Sequence, residues 1–220
     1  EKFRFEAERM SAVRHPNVIN VAEYFEANNT LYMVMTHEEG RDLRWFINKL
    51  AGELDWDFLQ QVFPPIGEGL WRMHQEGVVH LDVKPANVLL RTSGQPLLLD
   101  FGAAQTMDND NRFGSFQTLT HGFAPPEQYL DGNLGPWTDI YGLAATIYNC
   151  ITGNSPPPAL KRRDGASLEK LTVSRSGAYP YTLLKVVEDA LSLDQGQRPH
   201  DMHAFLSLAF GASSHTPVKT

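Results

Sequence analysis

The sequence has one cysteine, Cys150, in 220 residues. A single thiol excludes an internal disulfide framework and a ribbon-type zinc site, and it suits a reducing, cytoplasmic compartment. Basic residues are outnumbered: 19 Lys and Arg stand against 26 Asp and Glu, a formal charge of −7. That balance argues against a nucleic-acid partner, which needs a positive stripe or patch. The one basic cluster, Lys161-Arg162-Arg163, reads as a solvated loop. No apolar run approaches the ~18 residues that span a bilayer. The opening Glu1-Lys2-Phe3-Arg4-Phe5-Glu6 has no signal-peptide core. Glycine is missing until Gly40. Internal repeats and low-complexity linkers are missing throughout.

What is present is a globular composition. Hydrophobic residues make up 42% and charged residues 20%, enough apolar surface to bury a core in one domain or two small lobes. Apolar spacing predicts a helix over residues 3–14, ended by His15-Pro16-Asn17. Strands are predicted at 18–25 and 31–36 around an Asn28-Asn29 turn. Helices follow at 41–50 and 56–76, the second interrupted by Pro64-Pro65, where a break or kink is expected. Short apolar runs at 78–79, 88–90 and 97–99 read as strands, and 103–136 as a long ordered loop. Helices resume at 137–152, 181–192 and 200–210, before a frayed tail at 213–220.

The chemistry concentrates in Val78-Val79-His80-Leu81-Asp82-Val83-Lys84-Pro85-Ala86-Asn87-Val88-Leu89-Leu90. A polar H-x-D-x-K-x-x-N core lies between two strand-forming runs. Asp100-Phe101-Gly102 follows a further leucine run. Short strands flanking such a loop converge two carboxylates, an amide and an ammonium. Phosphoryl transfer uses that set: oxygens for a hard cation, a positive charge for the moving group, and an acceptor for the nucleophile's proton.

In this pattern the chain resembles the eukaryotic-type protein kinases, in the style of the bacterial Ser/Thr kinases. The resemblance runs from about residue 3 to 210. It implies an α+β, protein-kinase-like fold: a partial upper lobe over 1–36 (the αC helix and two strands), a mostly helical lower lobe over 37–212, and a tail at 213–220. It implies ATP and Mg²⁺, or Mn²⁺, as cofactors, and a protein Ser or Thr hydroxyl as acceptor, since Lys84 stands two residues after Asp82. Asp82 would orient the hydroxyl and accept its proton, and Lys84 would contact the γ-phosphate. Asn87 and Asp100 would hold the metal. Glu6, nine residues before His15, matches the αC glutamate that pairs with a strand lysine. Met35 matches the gatekeeper, Thr36, His37 and Glu38 the adenine hinge, and Leu89 the floor under the adenine. Met10, Val21, His80 and Phe101 match an apolar column joining the lobes. Thr120 would contact Asp82 and Lys84. Asp139, in Trp137-Thr138-Asp139, would brace the catalytic-loop backbone. Glu127, ending Pro125-Pro126-Glu127, would pair with Arg198.

Two departures from the family pattern stand out. Leucine occupies position 81, where most members carry an arginine that neutralises a loop phosphate. A phosphate on Thr106, Ser115, Thr118 or Thr120 then has no evident internal clamp, and activity is expected not to depend on one. A Gly-rich phosphate loop and its strand lysine are also missing from residues 1–220, and a fragment of a longer protein is the expected reason. Two other readings share the catalytic-loop pattern. One is a pseudokinase or scaffold without phosphotransfer. The other is a small-molecule phosphotransferase, against which the Pro-Pro-Glu segment, Asp139 and Arg198 argue.

Overall fold

The computed structural model describes residues 12–28, 30–51, 54–100, 104–106, 119–130 and 132–211. Glu6, Met10, Phe101, Ser115, Thr118 and the tail at 213–220 lie outside them, as does most of the helix expected at 3–14.

Aromatic and β-branched residues, Val21, Tyr24 and Phe25 in one run and Tyr32 and Val34 in the next, make the first described strands a hairpin. Strand β1 (Val21–Ala27) pairs antiparallel with β2 (Thr30–Met35), in a register that sets Val21 opposite Met35 and Phe25 opposite Tyr32. Asn28 takes a left-handed φ of 52° at the turn, which asparagine tolerates better than most residues. The hairpin is fastened to the rest of the molecule by the residues before it. Val18 bridges Leu98, the Asn17 carbonyl accepts from Leu98 N at 2.8 Å, and Ile19 N donates to the Leu98 carbonyl at 2.9 Å. The buried Asn17 amide adds a 2.7 Å bond to the Pro96 carbonyl.

Beyond the hairpin the chain is mostly helical. Strand β3 (Gly40–Asp42) leads into α1 (Leu43–Lys49), which Asp42 caps by accepting from Trp45 N. Helix α2 (Trp56–Gln75) starts at an Asp55 cap. Strands β4 (Val78–Val79), β5 (Val88–Arg91), β6 (Pro96–Leu98) and β7 (Gln105–Thr106) form two small antiparallel sheets, ordered β3-β5-β6 and β4-β7. A single turn of 3₁₀ helix at Pro85–Asn87 precedes β5. Short helix α3 (Pro126–Tyr129) is followed by α4 (Pro136–Thr152), α5 (Ala159–Arg163), α6 (Leu171–Ser174), α7 (Tyr181–Ala190) and α8 (Met202–Phe210).

From Thr138 to Tyr148 every residue of α4 is buried, as expected of a helix surrounded by others. Helices α2, α7 and α8 pack against it, and α2 also packs on β4 and β6. The strands that carry the catalytic-loop motif therefore rest on the helical core. Gly142 of α4 faces that loop closely: a Cβ there would lie 3.0 Å from the Val83 carbonyl oxygen.

Four expectations need correction. Lys161, Arg162 and Arg163, read as a solvated loop, are the last turn of α5, and Arg162 donates to the Leu191 carbonyl at 2.7 Å. Pro64 and Pro65 sit inside an unbroken α2. They remove N–H partners from the Gln60 and Gln61 carbonyls, but both those residues are exposed, so water can serve them. Buried Val62, Phe63, Ile66 and Leu70 flank the prolines and hold the helical register. The second helix begins at Leu43 rather than 41, because residues 40–42 are drawn into pairing with β5. The segment read as a loop over 103–136 contains β7 and α3; both are too short to leave a periodic signal.

Replacing Pro64 with alanine restores one helical hydrogen bond and relieves a ring clash. The variant is expected to gain about 1–3 kcal/mol of unfolding free energy, read from the urea midpoint.

Candidate active site

The H-x-D-x-K-x-x-N loop is held from below by one carboxylate. Asp139, fully buried in the first turn of α4, accepts from His80 N at 2.9 Å and from Leu81 N at 2.8 Å, one on each oxygen. The His74 Nε2 at the end of α2 donates to it at 2.8 Å. Burial alone would push the Asp139 carboxyl up. The His74 hydrogen bond and charge, with His80's charge and N–H, outweigh it and hold the carboxyl below its ordinary 3.8.

His80 turns the loop over on itself. Its Nε2 donates to the Leu99 carbonyl at 2.9 Å, and its Nδ1 accepts from Asp82 N at 3.3 Å. With one ring nitrogen on a carbonyl and the other on a backbone N–H, His80 acts here as a bracket. Leu81 between them is buried, at 6% exposure, and has φ 66°, a conformation that costs a branched residue about 1–2 kcal/mol.

Above this bracket the polar side chains form one hydrogen-bonded group. The Lys84 Nζ lies 2.6 Å from Asp82 Oδ2 and donates to Thr120 Oγ1 at 3.0 Å. The Thr120 hydroxyl in turn donates to Asp82 Oδ1 at 3.0 Å. The Asn87 amide nitrogen bonds the Asp82 carbonyl at 2.9 Å and its Oδ2 at 3.0 Å. That use of the nitrogen leaves the Asn87 amide oxygen for another partner. Asp100 is exposed and left-handed, at φ 68°. It follows Leu99, whose N–H donates to the Asn87 carbonyl at 2.7 Å. An amide oxygen and an exposed carboxylate on adjoining segments are the hard donors that Mg²⁺ takes alongside substrate phosphates. Among the described residues no group of three or more His, Cys, Asp or Glu could form a metal centre of another kind.

The residues expected at the hinge are Met35, which ends β2, and Thr36, His37 and Glu38, which follow it. Met35 is 40% exposed, and Thr36 N donates to the Asn20 carbonyl at 3.2 Å. His37 is exposed. Glu38 is turned onto Arg91, which donates to both its oxygens, at 2.9 and 3.2 Å. Those bonds, against a smaller effect of burial, hold the Glu38 carboxyl below its usual value. Leu89 is buried in β5, paired with Asp42 and Leu97.

A second buried anchor fixes the far side. Arg198 grips Glu127 with both terminal nitrogens, at 2.6 and 3.0 Å. It also donates to the Trp137 carbonyl at 3.0 Å and the Ser192 carbonyl at 2.9 Å, and lies over the Tyr141 ring. Removing one partner of such a pair costs about 3–5 kcal/mol, because the other stays buried and unpaired.

Sequence reasoning missed His74, Gln128 and Arg91. His74 could have been suspected as a titratable residue on the apolar face of α2, beside Leu70 and Met73. Gln128 donates to the Leu81 carbonyl at 2.8 Å and has no spacing signal beyond following Glu127.

A depressed carboxyl adds stability that is complete above its unfolded value and is lost as pH falls through its folded one. The wild type is expected to lose stability progressively below pH 3.8 through Asp139. Asp139→Asn is expected to lack that component and to be less stable at neutral pH, checked by urea unfolding along a pH series.

A family model described as the protein kinase domain matches residues 1–207. The probable serine/threonine-protein kinase PknB of Lactococcus lactis is 30% identical over 161 residues, 70% of this chain and 25% of that protein. The serine/threonine-protein kinase PknA of Mycobacterium tuberculosis is 31% identical over 162 residues, 71% of this chain and 37% of that protein. The serine/threonine-protein kinase cds1 of Schizosaccharomyces pombe is 28% identical over 186 residues, 82% of this chain and 39% of that protein. The chain thus spans well under half the length of these relatives. A solved structure titled "PpkA-294 apo form" superposes with a TM-score of 0.79 at 31% identity, covering 94% of this chain and 73% of that one. With the hairpin above and the helical body below, the chain has the protein-kinase fold and belongs to the protein kinase domain family.

Proposed function

We propose that the chain carries the catalytic residues of an ATP-dependent Ser/Thr protein kinase. The observation that supports this most is the Asp82–Lys84–Asn87–Thr120 group, braced from beneath by Asp139. An acceptor hydroxyl hydrogen-bonded to Asp82 is aimed by a carboxylate that Lys84, Asn87 and Thr120 hold in place. As the hydroxyl oxygen bonds to the γ-phosphorus, the bond from that phosphorus to the leaving ADP oxygen breaks, and the proton passes to Asp82. Lys84 sets a positive charge against the oxygens of the moving phosphoryl group. Asn87 and Asp100 would hold Mg²⁺ or Mn²⁺, which when bound neutralises phosphate charge. Met35, Thr36, His37 and Glu38 would border the adenine, with Leu89 beneath it, where residues 1–36 meet 37–212. Glu6 and Phe101 keep their expected roles, in the pairing with a strand lysine and in the apolar column. Glu127 and Arg198 act structurally. The acceptor is a protein Ser or Thr, the setting cytoplasmic. No helix among the described residues is long and apolar enough to cross a membrane.

A scaffold without phosphotransfer is the second reading. What favours it is the lack of any glycine-rich stretch before Gly40, which leaves the phosphates without a backbone cradle within this sequence. An Mg²⁺–ATP-dependent rise in melting temperature favours the kinase.

Asp82→Asn keeps the shape of the side chain and removes the proton acceptor. It is expected to lower turnover by about 10²–10⁴-fold with the melting temperature retained, measured as phosphate transfer from ATP to a basic protein acceptor. Wild-type turnover in the variant would refute the assignment.

The buried Leu81 leaves no arginine at that position to receive a loop phosphate. Phosphatase-treated protein is expected to transfer phosphate at the untreated rate. A rate that collapses on treatment and returns on rephosphorylation overturns this.

A further inference from the structure

The peptide between Leu81 and Asp82 is held on both sides by side chains. Its N–H, on Asp82, donates to His80 Nδ1 at 3.3 Å. Its carbonyl, on Leu81, accepts from Gln128 Nε2 at 2.8 Å. Gln128 and Leu81 are both buried, at 5% and 6% exposure, so water does not compete for either group. The residue whose carbonyl is gripped is the leucine with φ 66°, a conformation that leucine leaves readily unless it is held. A swing of this peptide plane would reorient the Asp82 carboxylate and break its bonds to Lys84 and Thr120. Gln128 comes from α3, far along the chain, and follows Glu127, whose carboxylate is locked to Arg198.

We infer that Gln128 is a positioning residue for Asp82. It clamps the Leu81 carbonyl, keeps the left-handed loop from relaxing, and makes the aim of Asp82 depend on the docking of α3. The clamp rests on the geometry alone. Its consequence for turnover rests on the proposed kinase activity, so the experiment reads the two separately.

Gln128→Leu keeps the bulk and removes the donor. Amide hydrogen exchange in the intact chain is expected to quicken at Leu81 and Asp82 by about tenfold, the worth of one buried hydrogen bond, with α4 unchanged. This readout needs no phosphotransfer. With ATP and a basic protein acceptor, kcat is expected to fall by a similar factor at unchanged KM for ATP. In a Leu81→Gly background the same substitution is expected to cost much less, because glycine takes positive φ freely. Unchanged exchange at Leu81 and Asp82 overturns the inference, as does an equal kcat loss in the Leu81 and Leu81→Gly backgrounds. A wild type that transfers no phosphate counts against the kinase reading alone, and the exchange result still decides the clamp.

Discussion

Everything above the helical core depends on one buried carboxylate. Asp139 is taken wholly out of water by α4, and an ionised group there is tolerated only if fixed donors replace its hydration. The donors within reach are two consecutive backbone amides, of His80 and Leu81, and the His74 ring. Two adjacent N–H groups can both face one carboxylate only if the chain bends sharply. The bend is the left-handed φ of Leu81. The strain in the loop is therefore a consequence of solvating Asp139, and the placing of half-buried Asp82 on the other side of the bend is a consequence of the strain.

The ion pair of Glu127 and Arg198 performs the same service for the segment that faces the loop. It joins residues far apart in sequence, with Thr138 adding a 3.3 Å bond to the Glu127 carboxylate. Because Thr138 and Asp139 are neighbours in α4, the two buried charges report to one helix turn. Displacement of that turn would move the catalytic loop and the end of the Thr120 segment together. A chain with one cysteine, itself buried and with its thiol pushed well up by burial, has no covalent alternative for this cross-link.

The parts visible in the sequence are those with local causes. The body of α4 and the apolar stripes of α2 and α7 follow from side-chain spacing. The short strands at Val78, Val88 and Leu97 follow from β-branched and leucine runs. The polar loop was legible because its residue types have few other uses together. What escaped notice has tertiary causes. Nothing local makes leucine adopt positive φ at position 81, since its propensity opposes it. Gln128 matters through the peptide it reaches, and Arg91 through the carboxylate opposite it. The prolines in α2 misled for the same reason: buried neighbours on both sides outweigh the local penalty.

Residues 36–39 complete this order of strengths. Arg91 ties Glu38 to β5 and also donates to the Pro16 carbonyl at 3.2 Å, so one guanidinium spans the Glu38 segment, the start of the hairpin segment and the lower sheet. Its ion pair is partly open to solvent, and pairs of that kind contribute little. The hairpin is otherwise held by the Asn17–Ile19 contacts with β6 and carries exposed Phe25, Tyr32 and Val34. The lower part, by contrast, is fixed by buried charge and a continuous apolar core. Compliance therefore belongs at residues 36–39 and stiffness at the catalytic loop. On the proposed kinase reading, a site that admits a nucleotide between two parts, yet aims a carboxylate at one atom, is served by that division.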